Sequence, residues 1–345
     1  MAFLEFKNVR IAGMSAGVPK HIEYTKDNPN ISSDYDYEDF IKSTGIRSRR
    51  IDERLTTSDL CCPAAEQLVQ DLGWEKSEIE VLIFVTQGPD YIAPSTACIV
   101  QDRLGLKKDC YAAELPLGCS GWVYGLSYAV SLLSTGCVKK ALLMVGDARL
   151  HIPTIDPLVG FAGTVTALEY QAGAEGFKFH FGTDGSGYDA IIVPDGGARN
   201  QVSPKSFEME NVNGKQMCRL QSRMNGMDVF SFAISTAPKS MKKLVEHYGL
   251  NLEEMDYLIL HQANLQIDEI IRGKMKFPEE KVPMCLYDFG NTSSASIPLT
   301  IVSQLKDKIE QKCTKFLCCG FGIGLSWGSV AFETESIILS DLVEV

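Results

Sequence analysis

Hydrophobic positions along this chain fall into two alternating patterns. Short unbroken runs, among them Val81-Leu-Ile-Phe-Val85 and Ala141-Leu-Leu-Met-Val145, have the length of strands buried on both faces. Helical stretches separate them, and the alternation predicts α/β layers. The pattern also repeats. Leu72-Gly-Trp-Glu-Lys-Ser-Glu-Ile-Glu-Val-Leu-Ile-Phe-Val85 reads as a turn, a short acidic helix and a buried strand, and so does the stretch from Tyr248 to His261. Leu117-Gly-Cys119 and Phe289-Gly-Asn291 each open a helical stretch rich in small residues. The runs from Ala141 to Gly146 and from Lys315 to Gly320 are both strands that end in glycine. Positions 72, 117 and 141 thus match 248, 289 and 315, at offsets of 176, 172 and 174 residues. Three ordered landmarks at nearly one offset indicate a duplicated domain, not a solenoid unit. The polar, glycine-bearing stretch from Asp195 to Lys215 is the expected joint, giving halves of 1–195 and 196–345. Such halves usually pack about a pseudo-twofold axis, so that equivalent loops meet. Cys119, His261 and Asn291 are therefore expected in one pocket, at the strand ends where open α/β sheets place their chemistry.

Composition narrows the function classes. At 345 residues, with 45% hydrophobic and 22% charged, the chain can bury a large core and is not disordered. Lys and Arg number 33 against 44 Asp and Glu, a net charge of −11, which argues against nucleic acid as a partner. The apolar runs are strand-sized, far below the ~20 residues of a membrane span, so no membrane insertion is expected. The start Met-Ala-Phe-Leu-Glu-Phe-Lys has no charged segment before a long apolar one, which argues against a secretory signal. The 11 cysteines contain no CxxC pair and accompany only 5 histidines, so neither a metal site nor a disulfide framework is expected. Thiols used as small core residues in a reducing cytoplasm are the simpler reading.

Cys119 lies in Leu117-Gly-Cys-Ser-Gly-Trp122, a strand–sharp turn–helix context that exposes a side chain at a helix N-terminus. Free N–H groups and the helix dipole there favour a thiolate nucleophile; a buried structural cysteine is the alternative. His261 leaves the strand Leu258-Ile-Leu260 and can be a bonded core residue, an acid–base group or a donor. Asn291, in Phe289-Gly-Asn-Thr-Ser-Ser-Ala-Ser296, is either a turn residue or an uncharged N–H donor suited to an enolate. The stretch Cys319-Gly-Phe-Gly-Ile-Gly-Leu-Ser-Trp-Gly328 lacks the strand–helix context of a dinucleotide fingerprint. Its glycines more plausibly let the backbone approach a ligand, or form a twisted strand turn. Arg47, Arg49 and Arg50 stand together in an acidic chain, as do Arg272, Lys274 and Lys276. Each group suits phosphates or an acidic partner, or is a solvated or internally paired surface.

The Cys119 turn, His261-Gln-Ala-Asn264, the Asn291 motif and Gly322-Ile-Gly-Leu-Ser-Trp-Gly328 together resemble β-ketoacyl-[acyl carrier protein] synthase III, a branch of the thiolase superfamily. Thr44-Gly-Ile-Arg-Ser-Arg fits that family's N-terminal motif, and the likeness spans residues 5 to 333. The resemblance implies a thiolase-like duplicated five-layer α-β-α-β-α sandwich, usually a homodimer, and no cofactor beyond the CoA and phosphopantetheine thioesters that are substrates. It implies a Cys119–His261–Asn291 triad. Cys119 would take an acyl group from acyl-CoA. His261 and Asn291 would stabilise the enolate formed by decarboxylation of malonyl-acyl carrier protein, and the backbone N–H groups of Cys119 and Ile323 would form the oxyanion hole. Phe40, Arg47, Ala93, Asn264, Gly322 and Gly324 would face substrate, CoA or the carrier protein, which is acidic and would meet the two basic groups.

The chain departs from the family pattern in places. Phe40 is the nearest candidate for an aromatic residue that stacks on the CoA adenine. Gln266 stands where an Arg often follows the histidine motif. The segment between Asp147 and Gly163 is short, reads Val159-Gly-Phe161 where Phe-Gly-Asp is expected, and has no clear counterpart for a CoA-binding basic residue. Ala93 replaces a large apolar residue before Pro94, which predicts a primer longer than acetyl, unless Tyr91 or Ile92 repacks the pocket. Three rivals remain at this level. An acyltransferase to a hydroxyl or amine would keep Cys119 and His261. A hydroxymethylglutaryl-CoA synthase would need a catalytic acid, for which Glu114 is badly spaced. A non-catalytic carrier-protein-binding subunit would normally have lost the nucleophile.

Overall fold

A computed structural model describes residues 2–29, 31, 34–148, 157–212 and 214–345. The first part of the chain comprises β1 (Ala2–Phe6), β2 (Val9–Val18), β3 (Ile22–Tyr24), α1 (Asp34–Thr44), β4 (Ser48–Arg50), α2 (Thr57–Leu72), β5 (Val81–Val85), α3 (Thr96–Arg103), β6 (Tyr111–Leu115), α4 (Gly121–Leu133), β7 (Lys140–Gly146) and β8 (Gly163–Tyr170). It continues with β9 (Phe177–Thr183) and four short strands, β10 (Ile191–Ile192), β11 (Glu210–Val212), β12 (Lys215–Met217) and β13 (Arg223–Met224). The rest is α5 (Gly226–Tyr248), β14 (Tyr257–Leu260), α6 (Leu265–Met275), α7 (Leu286–Phe289), α8 (Ser296–Ile309), β15 (Thr314–Gly322), β16 (Ser326–Thr334), β17 (Ile338–Leu339) and β18 (Val343–Glu344).

Two sheets carry the fold. The first is ordered β17-β2-β8-β7-β5-β6, with β18 also on β2; the second is ordered β1-β9-β16-β15-β14. Within them β2-β8-β7-β5 and β9-β16-β15-β14 follow one connectivity, each with a parallel pair and two antiparallel ones. This is the duplication that the three landmarks announce. The second copy of the order begins at β9, ahead of residue 195, and β17 and β18 return from the chain's end to the first sheet.

Side-chain alternation along the strands makes the layers. On β5, Val81, Ile83 and Val85 face the central core, which also takes Trp122, Leu126 and Val130 of α4, Ile297, Ile301 and Leu305 of α8, and Phe177, Phe179 and Phe316 of the second sheet. Leu82 and Phe84 face the other way, onto Leu68 of α2 and Val100 of α3. The far face of the second sheet, with Leu258, Leu260 and Leu317, packs against Met241 and Leu244 of α5 and Ile267 and Ile271 of α6. The result is the expected α-β-α-β-α sandwich. Helix α4 has no charged residue along its length, as a helix between two sheets requires. Its N-terminus therefore lies inside the molecule, and Cys119 precedes it.

Candidate active site

Cys119 is placed by the turn between β6 and α4, two residues before the first residue of the helix. Ser120 ties this turn to the loop after β15: its hydroxyl lies 2.7 Å from Ser326 Oγ, which in turn donates to the Ile323 carbonyl at 2.8 Å. The loop passes so close that a Cβ on Gly322 would stand 2.7 Å from Cys119 Cβ and 2.8 Å from its sulfur. Only glycine fits there, as the reading of close backbone approach expects. Burial pushes the Cys119 thiol up to about 11, helped by the nearby Asp147 carboxylate; Ser293 and the N–H groups of Ile323 and Cys119 pull the other way. The two N–H groups assigned to the oxyanion hole thus converge on the sulfur.

His261 continues the parallel ladder of β14 and β15, its N–H donating to the Cys319 carbonyl at 2.9 Å. The ring is buried, edge-on to Phe321 at 5.5 Å, with Nδ1 2.8 Å from Ser296 Oγ. Burial lowers its pKa to about 4, against the opposing pull of the Ser293 backbone, so the imidazole is neutral at pH 7.

Asn291 follows Gly290 at the end of α7 and is gripped on both backbone sides: its N–H donates to Leu158 at 2.8 Å and its carbonyl accepts from Gly160 at 3.0 Å. Its Oδ1 accepts from the Ser293 N–H at 2.9 Å, and Nδ2 reaches the Ala263 carbonyl at 3.4 Å. An amide has a second Nδ2 hydrogen to offer a ligand. Gly160 permits this grip, since a Cβ there would fall 1.8 Å from the Phe289 carbonyl oxygen. Residues 158–161, which lack the expected acid, thus form the seat of Asn291; the neighbouring stretch 149–156 lies outside the described residues.

Cys119, His261 and Asn291 are linked through one short segment, residues 291–296 at the start of α8. Ser293 Oγ lies 3.8 Å from Cys119 Sγ, its N–H binds Asn291, and Ser296 binds His261. Sequence reasoning quoted this serine run as a motif but gave its hydroxyls no role. It also passed over Asp147, noted only as one end of a short segment. Asp147 is buried beside Cys119 and accepts from the Gln87 N–H at 2.6 Å, Thr86 Oγ1 at 3.3 Å and Ser294 Oγ at 3.1 Å. Burial pushes its carboxyl above the ordinary range, against those hydrogen bonds.

The remaining candidates are more scattered. Asn264 caps α6, its side chain accepting from the Ile267 N–H at 2.9 Å. Phe40 packs half-buried against the α5–α6 core. Gly324 belongs to the loop after β15, where a Cβ would meet Ser326. Ala93 is exposed, beside the fully exposed Ile92. Of the first basic group, Arg49 is buried, paired with Glu23 at 2.8 Å and donating to the Val159 carbonyl at 2.8 Å, and Arg50 pairs with Glu344 at 2.8 Å. Internal pairing is therefore the reading that holds for these two. Arg47 is exposed, over the Tyr287 ring and 3.1 Å from Asp288. In the second group Arg272 pairs with Glu269, and Lys274 donates to the Ile234 carbonyl at 2.9 Å. Among the described residues no cluster of His, Cys, Asp and Glu could hold a metal ion, and no helix is long and apolar enough to cross a membrane.

A thiol at the N-terminus of a central helix, between two like sheets, with a neutral imidazole and an amide on the opposing loops, defines an acyl-transferring condensing enzyme of the thiolase fold. The 3-oxoacyl-[acyl-carrier-protein] synthase III C-terminal family matches residues 245–334. The chain is 34% identical to the β-ketoacyl-[acyl-carrier-protein] synthase III of Clostridium acetobutylicum, over 94% of this chain and 98% of that protein. It is 31% identical to β-ketoacyl-[acyl-carrier-protein] synthase III 1 of Bacillus anthracis, over 94% and 99%. The crystal structure of a 3-oxoacyl-(acyl-carrier protein) synthase from Burkholderia xenovorans superposes with a TM-score of 0.93 at 34% identity, covering 100% of this chain and 99% of that one. The chain belongs to the β-ketoacyl-[acyl-carrier-protein] synthase III family.

Proposed function

We propose that this enzyme joins an acyl primer to malonyl-acyl carrier protein by decarboxylative Claisen condensation, with Cys119 as nucleophile and His261 and Asn291 as enolate donors. The Cys119 sulfur attacks the thioester carbon of acyl-CoA, the tetrahedral oxyanion rests on the Cys119 and Ile323 N–H groups, and CoA leaves as its thiol. Malonyl-acyl carrier protein then binds, and its thioester oxygen accepts from His261 Nε2 and Asn291 Nδ2. Loss of carbon dioxide leaves an enolate held by these two donors. Its carbon attacks the acyl-Cys119 thioester, the C–S bond breaks, and a β-ketoacyl-acyl carrier protein departs while Cys119 recovers its proton. With Nδ1 accepting from the Ser296 hydroxyl, Nε2 carries the hydrogen this requires, and burial keeps the ring neutral.

The observation that carries the reading is the 291–296 segment, which touches Cys119, His261 and Asn291 at once. The reading includes a homodimer in the cytoplasm without a cofactor. The free edge of β6 and the exposed Tyr91 and Ile92 offer a face for the second copy. Ala93 in that face leaves room for a primer longer than acetyl. The nucleophile comes from the half 1–195, the two donors from 196–345.

Intact-mass analysis after mixing with acyl-CoA donors from C2 to C12, beside a Cys119→Ala variant, tests this. A single acyl adduct absent in the variant, followed by labelled carbon dioxide release from a malonyl-carrier donor, is expected. Loading without carbon dioxide release would identify a plain acyltransferase instead, and no loading by any donor would overturn the reading.

A further inference from the structure

Acyl loading moves a proton off Cys119, and nothing in a Cys–His–Asn constellation says where it goes. His261 is poorly suited here: its Nδ1 is engaged with Ser296, and a ring titrating near 4 holds a proton weakly at neutral pH. The sulfur has another neighbour. Ser293 Oγ lies 3.8 Å from Cys119 Sγ and also hydrogen-bonds to the buried Asp147 carboxylate.

We propose that Ser293 and Asp147 form a proton relay for Cys119, in which Asp147 holds the thiol proton, through the Ser293 hydroxyl, while the sulfur is acylated. This rests on Cys119 being the acylated nucleophile. The parts are fixed in place. Asp147 Oδ1 accepts from the Gln87 N–H at 2.6 Å, and Gln87 packs so tightly on the nucleophile turn that a Cβ at Gly118 would lie 2.4 Å from its Oε1. Asp147 Oδ2 accepts from Ser294 at 3.1 Å. Ser293 adopts φ +52, a conformation that non-glycine residues rarely take, with its N–H held by Asn291 Oδ1 at 2.9 Å. That strained turn aims the hydroxyl at the sulfur; strain of this kind gathers at functional sites.

A hydroxyl is donor and acceptor together, so the chain has two states. With Asp147 ionised, Ser293 donates to the carboxylate and accepts from the thiol. When the proton moves, the thiol hydrogen passes to Ser293 oxygen and the Ser293 hydrogen passes to Asp147. The carboxyl is then neutral and Ser293 donates to a thiolate. The sulfur forms its bond to the acyl carbon, the carbon–sulfur bond of the CoA thioester breaks, and the departing CoA thiolate takes the proton back from Asp147 along the same path. Burial disfavours two negative charges at once, so one proton serves both groups and they titrate as a pair. Asp147 is a positioning residue acting through Ser293; only Ser293 touches the reacting sulfur.

The test uses Asp147→Asn and Ser293→Ala in the full chain, each checked for folding by thermal melting. Alanine has the same Cβ as serine, so the Ser293 variant keeps the turn and the Asp147 bonds to Gln87 and Ser294. Two readouts are taken: single-turnover acyl transfer from acyl-CoA, and the pH–rate profile of Cys119 alkylation by iodoacetamide. Transfer at pH 7 is expected to fall about 10²-fold in both variants, the range of a lost proton acceptor. Alkylation is expected to show two steps in the wild type, a plateau from the shared-proton state and then a rise, and a single step in each variant. A purely structural role for Asp147 would lower the melting temperature without changing the number of steps. Wild-type transfer rates or an unchanged two-step profile in Ser293→Ala would overturn the relay, as would a single step in the wild type. Failure of the wild type to load any acyl group would instead refute the condensing reading, with the alkylation profile still deciding the relay.

Discussion

Gly322→Ala is the sharpest probe of the site, because the crowding falls on the nucleophile itself. The added Cβ would stand 2.7 Å from Cys119 Cβ and 2.8 Å from Sγ, whereas apolar heavy atoms rest about 3.5–4.0 Å apart. The sulfur or the loop must therefore give way by about 1 Å. Gly322 also has φ +157, a region that side chains enter at a cost of about 1–3 kcal/mol. The strand cannot easily retreat, because β15 is paired with β16 up to Gly322↔Ser326 and the loop beyond is held by the Ser326–Ile323 and Ser326–Ser120 hydrogen bonds. The sulfur is the mobile partner. A misplacement of about 1 Å costs on the order of 10²-fold in rate, so the variant should fold, lose about 1–3 kcal/mol of stability, and load acyl groups about 100-fold more slowly. Single-turnover loading followed by intact mass measures the rate, and urea unfolding measures the stability. Gly273→Ala, on α6 with open space at its Cβ, serves as the neutral control. Loading within twofold of wild type in a folded Gly322→Ala protein would show that the loop does not abut the reacting sulfur.

The remaining predictions follow from burial and pairing. His261 has a folded pKa of about 4 against 6.5 in the unfolded chain, so only the unfolded chain takes up its proton between those values; stability is full above pH 6.5 and falls toward pH 4 by up to about 3 kcal/mol. Urea titrations at pH 7 and pH 4.5 should show this loss in the wild type and a smaller one in His261→Gln. Asp268 on α6 is buried with no side-chain hydrogen-bond partner among the described residues, and burial raises its pKa well above the ordinary value. The folded chain keeps a proton that the unfolded chain releases, so stability falls as pH rises above about 4; Asp268→Asn should gain on wild type between pH 5 and pH 8, and parallel curves would refute this. Arg49→Ala removes a buried guanidinium that pairs Glu23 and holds Val159 beside Asn291; it should cost about 3–5 kcal/mol and slow malonyl decarboxylation, read by urea unfolding and labelled carbon dioxide release. Donors of C4–C8 should turn over faster than acetyl-CoA and lose that advantage in Ala93→Phe; equal or better use of acetyl-CoA by the wild type would sink the wide-pocket reading.

What was legible beforehand, and what was not, divides along a physical line. Duplication is written along the chain itself, so strand-sized runs and glycine turns at one offset were enough to predict two like sheets with Cys119, His261 and Asn291 at corresponding strand ends. The joint was harder to read. Composition marks the glycine-rich stretch near residue 195, but β9 already belongs to the second sheet, and strand partnership is a through-space property. The basic cluster shows the same limit: Arg47, Arg49 and Arg50 look alike in sequence, yet the β3–β4 pairing turns Arg49 inward to Glu23 and leaves Arg47 in solvent.

The hydroxyls and the acid around Cys119 were illegible for a further reason. Serine and aspartate are commonest at caps and turns, so Ser293 and Asp147 carry no periodic signal that separates a cap from a relay. What distinguishes them is where a positive φ points one hydroxyl, and which N–H groups reach one carboxylate. The same segment that seats Asn291 and tunes His261 also reaches Cys119, so the catalytic groups are not independent additions to a scaffold. They are read out from one turn at the start of α8, whose position between the sheets follows from the duplication. A substitution in that turn should therefore disturb loading and decarboxylation together, whereas changes in the glycine loop after β15 should fall on loading first.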